Sequence, residues 1–224
     1  MKLHIMRHGE SYSNIGGRMV SAQDADLTPK GIAQAYAVKK YLNIKFNAVL
    51  SSPLRRAKQT AEVLAEDTPI QIFDDLREME IGLLEGMTYA DVAEKYPNDD
   101  AGSGLSRIQF PEGEGFECVL ARCQRFISEG LSKLPKGINV LITCHGITKR
   151  VLVNAIMKRP NHHVDHLNWC DNTAFTVIDM AEEPKILHLN YFNHLVADNL
   201  RTDGFHTWGH LSDKDYITLS EDDF

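Results

Sequence analysis

The chain has 224 residues, of which 43% are hydrophobic and 25% charged, and its formal net charge is −7. That length can bury a sizeable core, and that charge speaks against nucleic acid or an anionic membrane surface as the main partner, since both call for a cationic field. The four cysteines, Cys118, Cys123, Cys144 and Cys170, form no C-x-x-C pair, which predicts free thiols and a cytoplasmic setting. Only four residues separate Lys2 from Arg7, so no leader peptide is expected, and no apolar run reaches membrane-spanning length.

In chain order, residues 2–6 (KLHIM) predict a short strand. A helix follows from Thr28 as N-cap and Pro29 at its first position, with Ile32, Ala35, Tyr36, Val38 and Leu42 sharing much of one face. Residues 47–52 (NAVLSS) predict a strand that runs past Pro53 into the helix LRRAKQTAEVLAE. PIQIFDDL reads as a further strand. Helices are expected at about 88–96 and 115–134. The strand NVLITCHG (139–146) is too apolar to have a solvated face, which predicts a central place in the sheet. It leads into the helix ITKRVLVNAIMKR, and NTAFTVIDM with KILHLNY predicts a closing hairpin.

This alternation predicts an α/β fold: three layers, α/β/α, with a mostly parallel central sheet and helices on both faces. Without an internal repeat or linker, residues 1–224 are expected to form one domain. Residues 86–117 would be a small cap and 192–224 a tail without clear periodicity, ending in a mobile SEDDF.

In open α/β sheets, ligands collect at the carboxyl ends of the strands. Those ends carry Arg7 and His8, then Ser51 and Ser52 with Arg55 and Arg56 just beyond, then His145. Arg77, Glu78 and Glu80 follow the third strand. Two histidines, several arginines and a carboxylate make an odd inventory for packing but a sensible one for a phosphate. Arginine matches phosphate oxygens with a planar fork, and a neutral imidazole is a competent nucleophile.

RHGES with Asn14, then LTPKG, SSPLRRAKQTA, LREMEIGLLEG and TCHG, occur in that order over about the first 150 residues. Together they resemble the histidine phosphatase superfamily, also called phosphoglycerate mutase-like. PEGEGFECVLARC and DNTAFTVID extend the resemblance to about residue 180. It implies that His8 is the nucleophile and that Arg7, Arg56 and His145 grip the phosphoryl oxygens. Glu78 would be the proton donor, standing four residues before Gly82, and Arg56 is preferred to Arg55 because it precedes Ala57. Asn14, Ser21 and Gly146 would complete the substrate site. No metal or other cofactor is implied, and the partner would be a small phosphorylated substrate. His8 must then attack through a deprotonated nitrogen, its other nitrogen donating to a fixed acceptor.

Val20 and Ser21 stand where many members have Gln-Gly, Asp26 replaces a proline, and Gly115 replaces a serine. The expected activity is a phosphomonoester hydrolase working through phosphohistidine. The alternatives are a cofactor-dependent phosphoglycerate mutase and a non-catalytic phosphate-binding module. In residues 86–117 the bases Lys95 and Arg107 face the acids Asp91, Glu94, Asp99, Asp100, Glu112, Glu114 and Glu117. That balance predicts a leaving group with few negative charges. The stretch NHHVDH raises a metal reading, with His162 and His166 on one helical face near His163 and Asp165, and with His206 and His210 further on. Surface imidazoles are the plainer reading. Cys144 reads as a buried thiol, and Trp169 and Trp208 as either pocket or packing residues.

Overall fold

The computed structural model describes residues 1–96 and 104–202. Its strands are β1 (Lys2–Arg7), β2 (Ala48–Ser51), β3 (Ile70–Ile72), β4 (Asn139–Cys144), β5 (Phe175–Met180) and β6 (Pro184–Tyr191). They form one sheet in the order β3-β2-β4-β1-β5-β6. Neighbours from β3 through β1 pair in parallel, and β5 alone runs against its neighbours β1 and β6. The helices are α1 (Pro29–Leu42), α2 (Arg55–Ala65), α3 (Tyr89–Lys95), α4 (Phe116–Glu129), α5 (Gly146–Ile156) and α6 (Asn193–Val196).

Successive strand side chains point to opposite faces, and the two cores follow that alternation. Leu3, Ile5, Leu50, Val140 and Ile142 pack with Val119 and Phe126 of α4 and Val151 and Leu152 of α5. Met6, Val49, Leu141 and Val177 pack with Ala35 and Val38 of α1 and Ala61 and Leu64 of α2. The fold is thus a three-layer α/β/α sandwich. As its composition predicts, β4 is central, lying between β2 and β1.

The start of α1 is as expected: Thr28 accepts the Gly31 N–H at 3.0 Å and Pro29 opens the helix. Its buried face differs from the expected one. Ile32 and Tyr36 are exposed, while Gly31, Gln34, Ala35 and Val38 face inward. Gln34 takes an inward place because its amide serves two backbone groups. It accepts the Glu10 N–H at 2.7 Å and donates to the Leu200 carbonyl at 2.7 Å. That bond also ties the start of the C-terminal segment to α1.

Three further elements are shorter or tighter than expected. After Ile72 the chain leaves the sheet edge in a 3-10 turn, Asp74–Leu76, that buries Leu76. Helix α4 stops at Glu129, with the turn Leu131–Lys133 beyond it. NHHVDH is a 3-10 helix, Asn161–His166. At three residues per turn it aligns His163 with His166, not His162 with His166.

Because β2, β4 and β1 are adjacent and parallel, their carboxyl ends at Ser51, Cys144 and Arg7 share one edge of the sheet. The N-termini of α2 and α5 begin just beyond that edge.

Candidate active site

His8 continues β1: its N–H donates to the Cys144 carbonyl at 3.0 Å, and its own carbonyl accepts from Asn172 Nδ2 at 3.0 Å. The side chain is buried, with Nδ1 2.7 Å from the Gly9 carbonyl oxygen. A carbonyl only accepts, so the hydrogen sits on Nδ1 and the lone pair on Nε2. Burial, then the nearby Arg56 and Arg7 charges, hold His8 well below the ordinary imidazole pKa.

Both arginines are buried and aimed by backbone carbonyls. Arg7 Nη1 donates to the Cys170 carbonyl at 2.6 Å, and its guanidinium lies over the Trp169 ring. Arg56 Nη1 donates to Gln23 O at 2.8 Å and Nη2 to Ser21 O at 2.6 Å. Carbonyls orient a guanidinium without cancelling its charge.

His145 is fully buried, its ring centroid 5.1 Å from that of His8. Its Nε2 lies 2.8 Å from Ser52 Oγ; that oxygen accepts the Leu54 N–H at 3.3 Å, and its own hydrogen is free to go to Nε2, which places the hydrogen of the neutral imidazole on Nδ1. Its Nδ1 has no hydrogen-bond partner among the described residues. Burial, then Arg56 and His8, lower its pKa well below the ordinary value. The Glu78 carboxylate sits on the first turn of α5, accepting the N–H of Ile147 at 3.2 Å and of Thr148 at 3.1 Å. The end of one strand thus provides His145, and the helix that follows it holds Glu78.

Arg7, His8, Asn14, Ser21, Arg56 and Glu78 line one cavity of about 520 Å³. Asn14 Oδ1 accepts from the Ser11 N–H at 3.0 Å and from Asn172 Nδ2 at 3.2 Å. The Ser21 hydroxyl is already engaged: it donates to Glu85 at 3.0 Å and accepts the Ile81 N–H at 3.2 Å. What Ser21 sends toward the site is its carbonyl, to Arg56. Gly146 is not part of the lining. It packs against Trp169, where an added Cβ would come within 2.8 Å of the ring.

The cavity also holds residues that the sequence motifs do not single out: Arg18, Tyr89 and Arg150, with Trp169. The available signal was helical spacing, since Arg150 lies one turn beyond Gly146 on α5. These residues overturn the inference drawn from the acids of 86–117. Asp91 caps α3 through Thr88, Glu114 pairs with Arg122, and Glu117 reaches toward Asn161. None of these, nor Glu94 or Glu112, lines the cavity; Asp99 and Asp100 lie outside the described residues. Among the described residues the charged lining is Arg7, Arg18, Arg56 and Arg150 against Glu78 and Asp165, so that lining is cationic.

A family model described as the histidine phosphatase superfamily (branch 1) matches residues 3–191. The chain belongs to that superfamily. It is 30% identical over 195 residues to human 6-phosphofructo-2-kinase/fructose-2,6-bisphosphatase 1, covering 84% of this chain and 40% of that protein. The chain therefore spans about two fifths of the length of such curated relatives. Among solved structures, the alpha-ribazole phosphatase of Shigella flexneri is similar at a TM-score of 0.76 and 28% identity, over 85% of this chain and 96% of that one. A mycobacterial glucosyl-3-phosphoglycerate phosphatase in complex with VO3 is similar at a TM-score of 0.78 and 27% identity, over 85% of this chain and 99% of that one.

Within this histidine phosphatase fold the remaining candidates find other places. The His162 and His163 rings meet edge to face at 4.6 Å, and the Asp165 carboxylate accepts from Ser106 N–H at 2.7 Å and Oγ at 2.6 Å. Among the described residues no group of three or more His, Cys, Asp or Glu is placed to hold a metal ion. His206, Trp208 and His210 lie outside the described residues. Cys144 is buried, and burial pushes its thiol above the ordinary range, which makes it a poor nucleophile. Among the described residues no helix is long and apolar enough to cross a membrane.

Proposed function

We propose that this superfamily member hydrolyses a small phosphomonoester through a phosphohistidine at His8, as one domain in which 86–117 caps the cavity. The observation that carries the proposal is the Nδ1–Gly9 hydrogen bond, which leaves a lone pair on Nε2 of a neutral imidazole close to two buried guanidinium groups. Nε2 attacks phosphorus, so that a P–N bond forms as the P–O ester bond breaks. The departing oxygen takes a proton from Glu78. Arg7, Arg56 and a Nδ1–H of His145 hold the phosphoryl oxygens through the transition state. Water then attacks the phosphohistidine and gives its proton to the Glu78 carboxylate. Orthophosphate leaves, and the lone pair returns to His8 Nε2.

The cationic lining and the rings of Tyr89 and Trp169 favour a leaving group that carries anionic or acceptor groups. The named activities of the relatives, on ribazole, glucosyl-phosphoglycerate and fructose bisphosphate, agree with that class. The same lining suits the second anion of a phosphoglycerate mutase, which is the second reading. A cytoplasmic setting belongs to the same proposal and is supported by the free cysteines.

The test is phosphate release from a panel of phosphomonoesters by wild type and His8→Ala, with mass spectrometry of rapidly quenched turnover. We expect a phosphoryl adduct on His8, undiminished hydrolysis in strong chelator, and none by the variant. Equal activity of the two proteins would sink the reading. Interconversion of phosphoglycerates that depends on a bisphosphate primer would favour the mutase.

A further inference from the structure

The mechanism above leaves unexplained a carboxylate that does not itself line the cavity. Glu85 lies behind the 21–23 loop and accepts several hydrogen bonds from it. They come from the N–H of Ser21 at 3.1 Å to either oxygen, of Ala22 at 3.4 Å and of Gln23 at 3.3 Å, and from the Ser21 hydroxyl at 3.0 Å. Successive backbone N–H groups that converge on an anion form a nest. On the opposite side of this loop the carbonyls of Ser21 and Gln23 receive the two ends of the Arg56 fork.

The peptide unit joining Ser21 to Ala22 links the two groups directly. Its N–H donates to Glu85 and its C=O accepts from Arg56 Nη2 at 2.6 Å. Negative charge on one side of a peptide and positive charge on the other polarise it in the same sense, which strengthens both bonds. The segment bearing Glu85 is itself secured. Gly86, at φ +80°, turns the chain so that its N–H reaches Met19 O at 2.8 Å, while its carbonyl accepts from Arg18 at 2.7 Å.

We infer that Glu85 is a positioning residue that aims the Arg56 guanidinium at the phosphoryl group through the Ser21–Ala22 peptide. The Ser21 hydroxyl, which donates to Glu85 at 3.0 Å, adds to this device. The inference rests on the proposed phosphoryl-binding role of Arg56. A guanidinium that swings by a fraction of an ångström loses its fit to the transition state before it loses attraction for the ground-state dianion.

The experiment is a double-mutant cycle of Glu85→Gln and Arg56→Lys, read by kcat, KM, melting temperature and calorimetric binding of orthophosphate. Glu85→Gln is expected to lower kcat about tenfold or more with KM within about twofold, and Glu85→Asp to recover part of the loss. In the Arg56→Lys background the same change is expected to cost less than about twofold. Equal losses in both backgrounds, or a loss matched by a fall in the folded fraction, overturn the inference. Should Glu85→Gln fail to fold, Glu85→Asp carries the cycle with the same criteria. If wild type binds orthophosphate yet hydrolyses no ester, the hydrolase reading fails by itself. Binding of orthovanadate, a mimic of the pentacoordinate phosphorus, then reads the positioning role: weaker vanadate binding by Glu85→Gln with orthophosphate binding within about twofold supports it, and unchanged vanadate binding removes it.

Discussion

The guanidinium carbon of Arg7 stands 5.2 Å from the centroid of the Trp169 ring, while the Cys170 carbonyl takes one of its nitrogens at 2.6 Å. A cation held over an aromatic face gains roughly 0.5–2 kcal/mol, more when desolvated. Trp169→Ala is therefore expected to lower kcat/KM roughly tenfold for any phosphomonoester, and Trp169→Phe only about twofold. Steady-state kinetics on an aryl phosphate checks this, and an Ala variant as active as wild type would show that the carbonyl suffices.

The depressed pKa of His8 has a consequence for the pH profile. A histidine whose pKa is lowered stays unprotonated as pH falls through 6.5, so kcat/KM should show no His8 limb at the ordinary imidazole value. Arg56→Met removes a cation that disfavours imidazolium, so the acid limb should move upward in pH. A wild-type limb near 6.5 that does not move in the variant would contradict the assignment of His8 as a buried neutral nucleophile.

Arg150 tests the sign of the cavity charge. Its Nη2 donates to Val164 O at 2.9 Å, and it lines the same cavity as His8. Arg150→Gln should lower kcat/KM about tenfold for esters whose leaving group carries a carboxylate or second phosphate. Phenyl phosphate should change by less than about twofold. Equal losses on both substrate types would place Arg150 in structural support instead.

His4 gives a stability prediction separate from the site. Its ring sits edge-on to Phe46 at 5.3 Å, and burial, then Lys2, lower its pKa to about 4. Between that value and 6.5 the unfolded chain binds the proton more readily than the folded one. Stability is thus complete above 6.5 and is lost as pH falls toward 4, by about 3 kcal/mol for a shift of this size. Urea unfolding of wild type and His4→Leu at several pH values reads this directly. The variant should gain on wild type as pH falls, and parallel curves would refute it.

Much of the fold was legible from local pattern. The apolar run at 139–144 implied a doubly covered strand, and Thr28 with Pro29 marked a helix start, because burial periodicity and capping act over a few residues. Gln34 on the buried face of α1 was not legible, since its partners Glu10 and Leu200 come from distant parts of the chain. Nor was the direction of the acids in 86–117, which depends on a cap at Thr88 and an ion pair with Arg122. The relative direction of His162 and His166 was not legible either, because NHHVDH winds as a 3-10 helix.

By itself the amino-acid order determined which chemical groups stand at the strand ends, because strand and helix alternation brings parallel ends to one edge whatever the loops do. Only the tertiary structure decided which His8 nitrogen is free, where the two guanidinium groups aim and what charge lines the cavity. Those properties depend on backbone carbonyls and charges brought close by folding, such as the Cys170 oxygen that meets Arg7 from 163 positions away.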